Sequence, residues 1–334
     1  MTNFLHLEQS PVVLPDHERL VPFLAKHPQD LSGYTFATLV AWAETYAYAW
    51  SFSGDALLIS YTLEPDPNRH LLQPVGALGA ESTERLVREA AELPYPLKLI
   101  NVTDRFLEEN PGLVAHFDVA EDRAMANYVY RARALADLRG AKYSKKRNLL
   151  AQASSLYSWT VEPLTAARAL DCLELVEPED EPAGNGWTHP SADAGTPAPA
   201  VAMPAQTLAA PTGTVLTREQ MLREEVKALE FTLRHFGELG QEGVLVSVDG
   251  KPEAFSIWEP LTRDTAVIHF ERALRSRKGL YQVINKVTAE AIVARGFELV
   301  NREEDIDDPG LRQAKSSYHP LHLARAWTLT FRRP

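Results

Sequence analysis

His269 and Glu271 stand two residues apart in the run TAVIHFERA, which alternates and is rich in β-forming residues. Alternation places both side chains on one face of a strand. An imidazole and a carboxylate so placed could take a proton from an attacking amine or hydroxyl. A short basic turn follows, with Arg275, Arg277, Lys278 and Gly279. Cations beside a glycine at a helix start suit an anionic group, because first-turn N–H groups lack helical partners and carry partial positive charge. A charged cluster of Asn301, Arg302, Glu303, Glu304 and Asp305 comes next, and then Lys315, Tyr318 and His319. These are the residue types that acyl transfer needs: a proton acceptor, and donors to stabilise a tetrahedral oxyanion. His269, Glu271, Glu303 and Tyr318 are the candidates for the chemistry. Arg277, Lys278, Gly279, Asn301, Arg302, Glu304 and Lys315 are the candidates for holding donor or substrate. No nucleophile stands out, so direct attack without a covalent intermediate is the simplest mechanism. The acidic pair Glu303 and Glu304 could recognise a cationic aminoacyl group.

A second basic block holds Arg139, Lys142, Lys145, Lys146 and Arg147, with Gly140 before the cluster and Ser144 as a capping residue. Leu149, Leu150, Ala153 and Leu156 give the following helix an apolar side. Cations at a helix start are disfavoured by the macrodipole, and such placement points to an anionic partner. On these residues alone a solvated cationic turn is the ordinary reading; the family resemblance given below adds Lys142, Lys146 and Arg147 to the donor-binding candidates.

The elements that must position these residues follow from periodicity. Thr265 to Glu271 reads as a strand. Leu280, Val283, Ile284, Val287, Ala291 and Ile292 recur at helical spacing until Gly296 stops the helix, and Phe297 to Asn301 is a second strand. Before them, Arg218 to Leu239 reads as a helix started by a Thr217/Gln220 capping box, and a hairpin turns at Asp249-Gly250. Pro309 to Ser316 is a short helix, and Leu321 to Phe331 a closing strand. The first half gives a helix capped by Thr35, a hairpin at Ser53-Gly54-Asp55, and strands at Leu71–Val75, Leu97–Val102 and Leu113–Val119. Between these strands lie helices at Glu84–Leu93 and Asp104–Asn110. NYVYR, residues 127–131, is a further strand. The halves share no sequence repeat, yet each runs helix, hairpin, strand, helix, strand, helix, strand. The expected class is α/β (α+β): two tandem units of mixed sheets flanked by helices, at 1–165 and 166–334. A Pro/Ala-rich insert at 177–214 without periodicity interrupts the second and reads as a flexible linker.

Hydrophobic residues make up 45% of the 334 residues, enough for sizeable cores. The net charge of −11 argues against broad nucleic-acid binding, which needs a basic face. The single cysteine, Cys172, excludes an internal disulfide and lies in apolar helical surroundings that suit a buried thiol. Metal-ligand spacings, a Walker loop and a nucleophile elbow are all missing, so no metal is expected. The first residues lack a signal peptide and no apolar run reaches membrane-spanning length, which predicts a cytoplasmic protein.

VIHFERA, GLYQVIN, NREED and GLRQAKSSYHP, together with LRGAKYSKKRN at Leu138–Asn148 and, more weakly, Phe36–Trp42 and Tyr46, resemble a bacterial family named after the C-terminal part of phosphatidylglycerol lysyltransferase. The resemblance spans most of the chain except residues around 177–214. It implies two tandem GNAT-like (acyl-CoA N-acetyltransferase-like) units, as in Fem-type peptidyltransferases, and an acyl- or aminoacyltransferase. It further implies that the cleft of the second unit does chemistry. The donor would be aminoacyl-tRNA, held in a local basic groove, or an acyl-CoA. The acceptor would be a small molecule, a lipid or a peptide. GNAT folds bind the cofactor pyrophosphate at Gln/Arg-x-x-Gly-x-Gly/Ala. This chain has Gly279, with Ser276 and Tyr281 at the flanking positions. The non-enzymatic alternative is a degenerate pair of units that binds a nucleotide or a protein. Oligomeric state does not follow from these patterns.

Overall fold

The structure, a computed structural model, describes residues 2–63, 65–175 and 218–333, with the side chains of Arg218 and Glu219 excepted. The 177–214 insert and Thr217 of the expected capping box lie outside the described residues. The architecture is mixed α/β, with two sheets flanked by helices.

The chain divides into two compact units. One comprises Met1–Asn127 and Leu323–Pro334, and the other runs from Tyr128 to His322 in its described parts. The division thus falls at 127/128, whereas the sequence placed it at 165/166. The reason is strand pairing. The NYVYR segment lies antiparallel to strand Leu299–Asn301, with Tyr130 opposite Val300, so residues after 127 build the second sheet. The C-terminal segment also departs from expectation. Instead of one strand over Leu321–Phe331 there are two, His322–Ala324 and Trp327–Phe331, and they join different sheets.

The first sheet takes β1 (Thr2–Phe4), β2 (Leu7–Pro11), β3 (Ala49–Ser53), β4 (Ala56–Leu63), β5 (Asp66–Leu72), β6 (Val75–Gly76), β7 (Lys98–Val102) and β8 (Phe117–Glu121). Its order is β1-β2-β3-β4-β5-β7, then the C-terminal Trp327–Phe331 strand, then β8, with β6 on β4. The strand expected at Leu113–Val119 begins as a helical turn, Pro111–Val114, because Pro111 has its ring-fixed φ at the first helical position. The predicted Thr35 cap forms: Thr38 N donates to Thr35 Oγ1 at 3.1 Å. Leu58, Leu71, Leu99, Val102, Phe106, Phe117, Leu329 and Phe331 make the core of this unit.

The second sheet takes β9 (Asn127–Arg131), β10 (Trp159–Pro163), β11 (Glu242–Val248), β12 (Lys251–Pro260), β13 (Thr265–Ala273), β14 (Leu299–Asn301) and β15 (His322–Ala324), in the order β10-β11-β12-β13-β14-β9-β15. Trp327–Phe331 is β16. The turn between β11 and β12 has positive φ at Asp249 (50°) and Gly250 (81°), as a two-residue hairpin turn requires. Strands β13 and β14 are parallel, joined by helix Leu280–Ala294, whose apolar side packs with Val244, Val246, Val248, Ala254 and Ala273. Opposite the consecutive residues Ile257 and Trp258, β13 presents Phe270 and Ile268. His269 is therefore the extra residue of a β-bulge, a feature that re-aims a side chain. Among the described residues no helix is long and apolar enough to cross a membrane. Cys172 is buried, and burial pushes its thiol up to about 12, which makes it inert.

Candidate functional site

The bulge turns His269 into a clasp between two carboxylates. Its Nε2 lies 2.7 Å from Glu259 Oε1 and its Nδ1 2.9 Å from Glu303 Oε1. Two acidic partners require both ring nitrogens to be donors, which is the imidazolium. Burial opposes that charge, but the hydrogen bonds and charges of Glu259 and Glu303 overcome it and hold the group up at about 10. His269 is thus a cation near neutrality and not the free base that the sequence suggested. Glu259, ten residues upstream on the partner strand, went unnoticed in the sequence because only the β12–β13 hairpin brings it near.

Glu271 is equally engaged. Its Oε1 accepts from Arg302 Nη2 at 3.0 Å, and both groups are nearly inaccessible to solvent. Asn285 completes the pair: with its amide oriented by the surrounding donors and acceptors, its oxygen faces the guanidinium and accepts from Arg302 Nη1 at 3.0 Å and Nη2 at 3.2 Å. Burial raises the Glu271 carboxyl, and the Arg302 charge works against that rise. The sequence signal for Asn285 was available: Gln282, Asn285 and Thr288 recur every three residues on a helix otherwise read from its apolar positions, and all three are buried.

The acidic loop after β14 is held in place from helix Pro309–Ser316. Lys315 Nζ donates to Arg302 O at 2.6 Å and to Glu304 O. Arg312 donates from Nε and Nη2 to Asp305 at 2.9 Å each, and Tyr128 donates to the same carboxylate at 2.6 Å. Asn301 is fully buried and accepts from Glu303 N at 2.7 Å. These bonds hold Glu303, Ile306 and Asp307 at φ values of 58°, 44° and 58°, which cost energy for residues with a side chain. Lys315 and Asn301 are thus structural clamps of the loop. Burial and the Glu303 charge both raise the half-buried Glu304 carboxyl, while burial lowers Lys315.

Tyr318 is buried over Arg302, whose guanidinium lies 5.2 Å from its ring centre. Lys146 Nζ stands 4.0 Å from the same ring centre and donates to Ser317 Oγ at 2.8 Å. Tyr318 keeps its proton, since burial raises its hydroxyl well above the usual range. The structure therefore brings His269, Glu271, Glu303, Tyr318, Arg302, Asn301, Glu304, Lys315 and Lys146 into the second unit as neighbouring networks.

The other basic residues go elsewhere. Arg147 donates to Leu138 O at 2.6 Å and Gly140 O at 2.7 Å, closing the turn before its helix, while Lys142 is exposed beside Tyr143. Arg277 makes a two-pronged bond to Glu253, 2.7 Å at each prong, and Lys278 N donates to Tyr157 Oη at 3.1 Å. Gly279 has φ 84°, and a Cβ there would come within 2.3 Å of Leu149 O. That glycine is explained by close packing of helix Leu280–Ala294 on helix Ser144–Leu156, so the phosphate signature has lost its simplest rationale.

The sequence matches the family described as "Phosphatidylglycerol lysyltransferase, C-terminal" over residues 25–178 and 215–330, and the chain belongs to that family. No curated protein matches it. A crystal structure of a protein of unknown function from Bacteroides thetaiotaomicron has a TM-score of 0.77 at 24% identity, covering 98% of this chain and 100% of that one. The structure of L-PGS from Bacillus licheniformis has a TM-score of 0.58 at 14% identity, with coverage of 96% and 92%. That of FemX has 0.53 at 12%, with 96% and 97%. These likenesses establish the fold, a mixed α/β arrangement of two units. The chain is related to aminoacyltransferase families.

Proposed function

We infer that the second unit transfers an aminoacyl group from an aminoacyl ester, with aminoacyl-tRNA as the donor, to an amine or hydroxyl acceptor. The observation that carries this reading is the acidic corner at the bulge. Glu259, Glu303 and Glu304 gather there with two cations, His269 and Lys315, so the corner has one more acidic group than basic ones, which suits the ammonium of an aminoacyl group. The GNAT-type alternative donor, an acyl-CoA, is less well served, because the Arg277 guanidinium, the Lys278 backbone N–H and the space at Gly279 are taken by contacts within the chain. In the step itself the acceptor's nitrogen or oxygen attacks the ester carbonyl, its proton passes to a carboxylate, and that proton is returned to the donor's ester oxygen as the C–O bond breaks and the donor leaves as a hydroxyl. Glu304, raised by burial and by Glu303, suits that proton transfer better than His269 or Glu271.

The engagement of His269 and Glu271 also favours a second reading, a binding module without turnover. Incubation with labelled aminoacyl-tRNA pools and a water-soluble extract or lipid extract as acceptor separates the two. Transfer that falls at least tenfold in Glu304→Gln supports the enzyme. Binding without transfer for every aminoacyl-tRNA supports the module.

A further inference from the structure

The two sheets end in the strands β1, β8, β10 and β15, and three of these edges are guarded. β1 and β15 have three residues each, too few to template a long ladder. β10 has five, but Leu164 N donates to Gly243 O and Asp249 N to Ser158 O, so its even-numbered residues bond to β11 and its odd-numbered ones face outward. Pro163 is among the latter and has no N–H to offer a partner. β8 is the exception. It has five residues in unbroken register with β16, with neither a proline nor a bulge.

The direction of its free groups follows from its bonds to β16. Arg332 N donates to His116 O at 3.0 Å and Asp122 N to Ala326 O at 2.8 Å, so the even-numbered residues from 116 to 122 bond to β16. The odd-numbered residues turn their N–H and C=O groups the other way. Val119 and Glu121 are exposed, and among the described residues no strand pairs with that side of β8. The Val119 side chain is 41% exposed, yet it lies directly opposite Leu329, which belongs to the core of the first unit. The apolar face of the sheet therefore runs out to an open edge.

Charge decides what can pair there. Asp118, Glu121 and Asp122 repel an acidic strand set against them. A second copy of β8 can lie antiparallel to the first, related by a two-fold axis. Because the outward groups sit on odd-numbered residues, the axis has to pass at a residue and not between residues. An axis at Asp118 sets Asp118 against itself. One at Ala120 sets Asp118 against Asp122, and one at Glu121 sets Glu121 against itself. An axis at Val119 sets Val119 against Val119, Asp118 against Ala120, Glu121 against Phe117, and the exposed His116 against Asp122. In this register no two acids meet, and each imidazole faces a carboxylate.

We propose that two copies of this chain pair through β8, antiparallel about Val119, and join their first sheets into one continuous sheet. The N–H and C=O groups of Val119 in each copy bond to those of the other. The apolar row from Leu329 to Val119 then continues across the axis instead of ending in water. The occupant is a second copy because the charge complementarity is that of the strand with itself. The pairing involves the first unit alone and holds whether or not the second unit turns over a substrate.

Sedimentation velocity of the full chain over about a hundredfold range of concentration tests this, and the expected result is a reversible monomer–dimer equilibrium. Val119→Lys sets two ammonium groups across the axis, and His116→Glu sets a second acid against Asp122. Each should weaken the dimer about tenfold or more, whereas Val161→Lys on the β10 edge should leave it unchanged. Amide hydrogen exchange supplies the location: protection at Val119 and Glu121 rises with protein concentration, and protection at Val161 does not. Three results overturn the proposal: a monomer at every concentration, a dimer whose dissociation constant is unaltered in either Val119→Lys or His116→Glu, or a dimer without concentration-dependent protection at Val119 and Glu121. Should a variant fail to fold, the exchange measurement on the unaltered chain decides alone.

Discussion

The clasp of His269 between Glu259 and Glu303 makes a quantitative prediction about stability. An imidazole free in the unfolded chain titrates near 6.5, whereas in the fold it is held at about 10. The folded state binds the proton more tightly, so the contribution is full below pH 6.5 and is lost as pH rises through 10. At about 1.4 kcal/mol per tenfold change in affinity, the gap sets a ceiling of about 5 kcal/mol. Glu259 and Glu303 are 16% and 23% exposed, and solvent at that rim reduces the figure, so a loss of about 2–4 kcal/mol is expected. The assay is urea unfolding at half-unit intervals from pH 6 to 10.5, on the unaltered chain and on His269→Gln. Only the difference between the two curves is diagnostic. Lys146 has a lowered proton affinity and contributes the opposite slope between about 8 and its unfolded value of 10.5. The difference should fall steadily across pH 7 to 10. A flat difference over that range, with the imidazole titrating near 6.5 by NMR, would refute the ion-clasp argument.

Other substitutions test the remaining contacts. Gly279→Ala combines a positive φ with a Cβ set against Leu149 O, and should cost more than about 2 kcal/mol in urea unfolding. Glu271→Ala strands Arg302 as a buried charge and should cost about 3–5 kcal/mol by the same measurement, whereas the double change with Arg302→Met recovers much of it. Lys146→Met removes a buried charge that lacks a carboxylate, and should leave stability at pH 7 unchanged or raise it by about 1–2 kcal/mol. Thr35→Ala should cost about 1 kcal/mol through the lost cap.

Much of the architecture could be read locally. Asp249-Gly250 specified its turn, Thr35 its cap, and the spacing from Leu280 to Ile292 its helix, because each depends on neighbours within a few residues. The charged cluster at Asn301–Asp305 was likewise visible as a loop leaving a strand. Features set by distant pairing were not visible. The bulge at His269 depends on the register between β12 and β13, which no alternation within β13 records. Glu259 is its partner only through that register. Arg147 looked like a phosphate contact, but its target proved to be the carbonyls of Leu138 and Gly140. Gly279 looked like a phosphate contact for the same reason, since a glycine needed for helix packing and one needed for a ligand are identical in sequence. Lys315 could have been assigned either role, and the two backbone carbonyls it reaches settle its place as a clamp.

The C-terminal strand Trp327–Phe331 lies between β7 and β8, antiparallel to both. During synthesis, β7 and β8 leave the ribosome some two hundred residues before the strand that must separate them, and until then their facing edges have no ladder. The first unit is therefore assembled last, although it is made first. Its folding has to wait, and during the wait those edges are open to pairing with other chains. A fragment ending at Asn127 should misfold or aggregate, and adding a peptide of residues 323–333 in trans should rescue it.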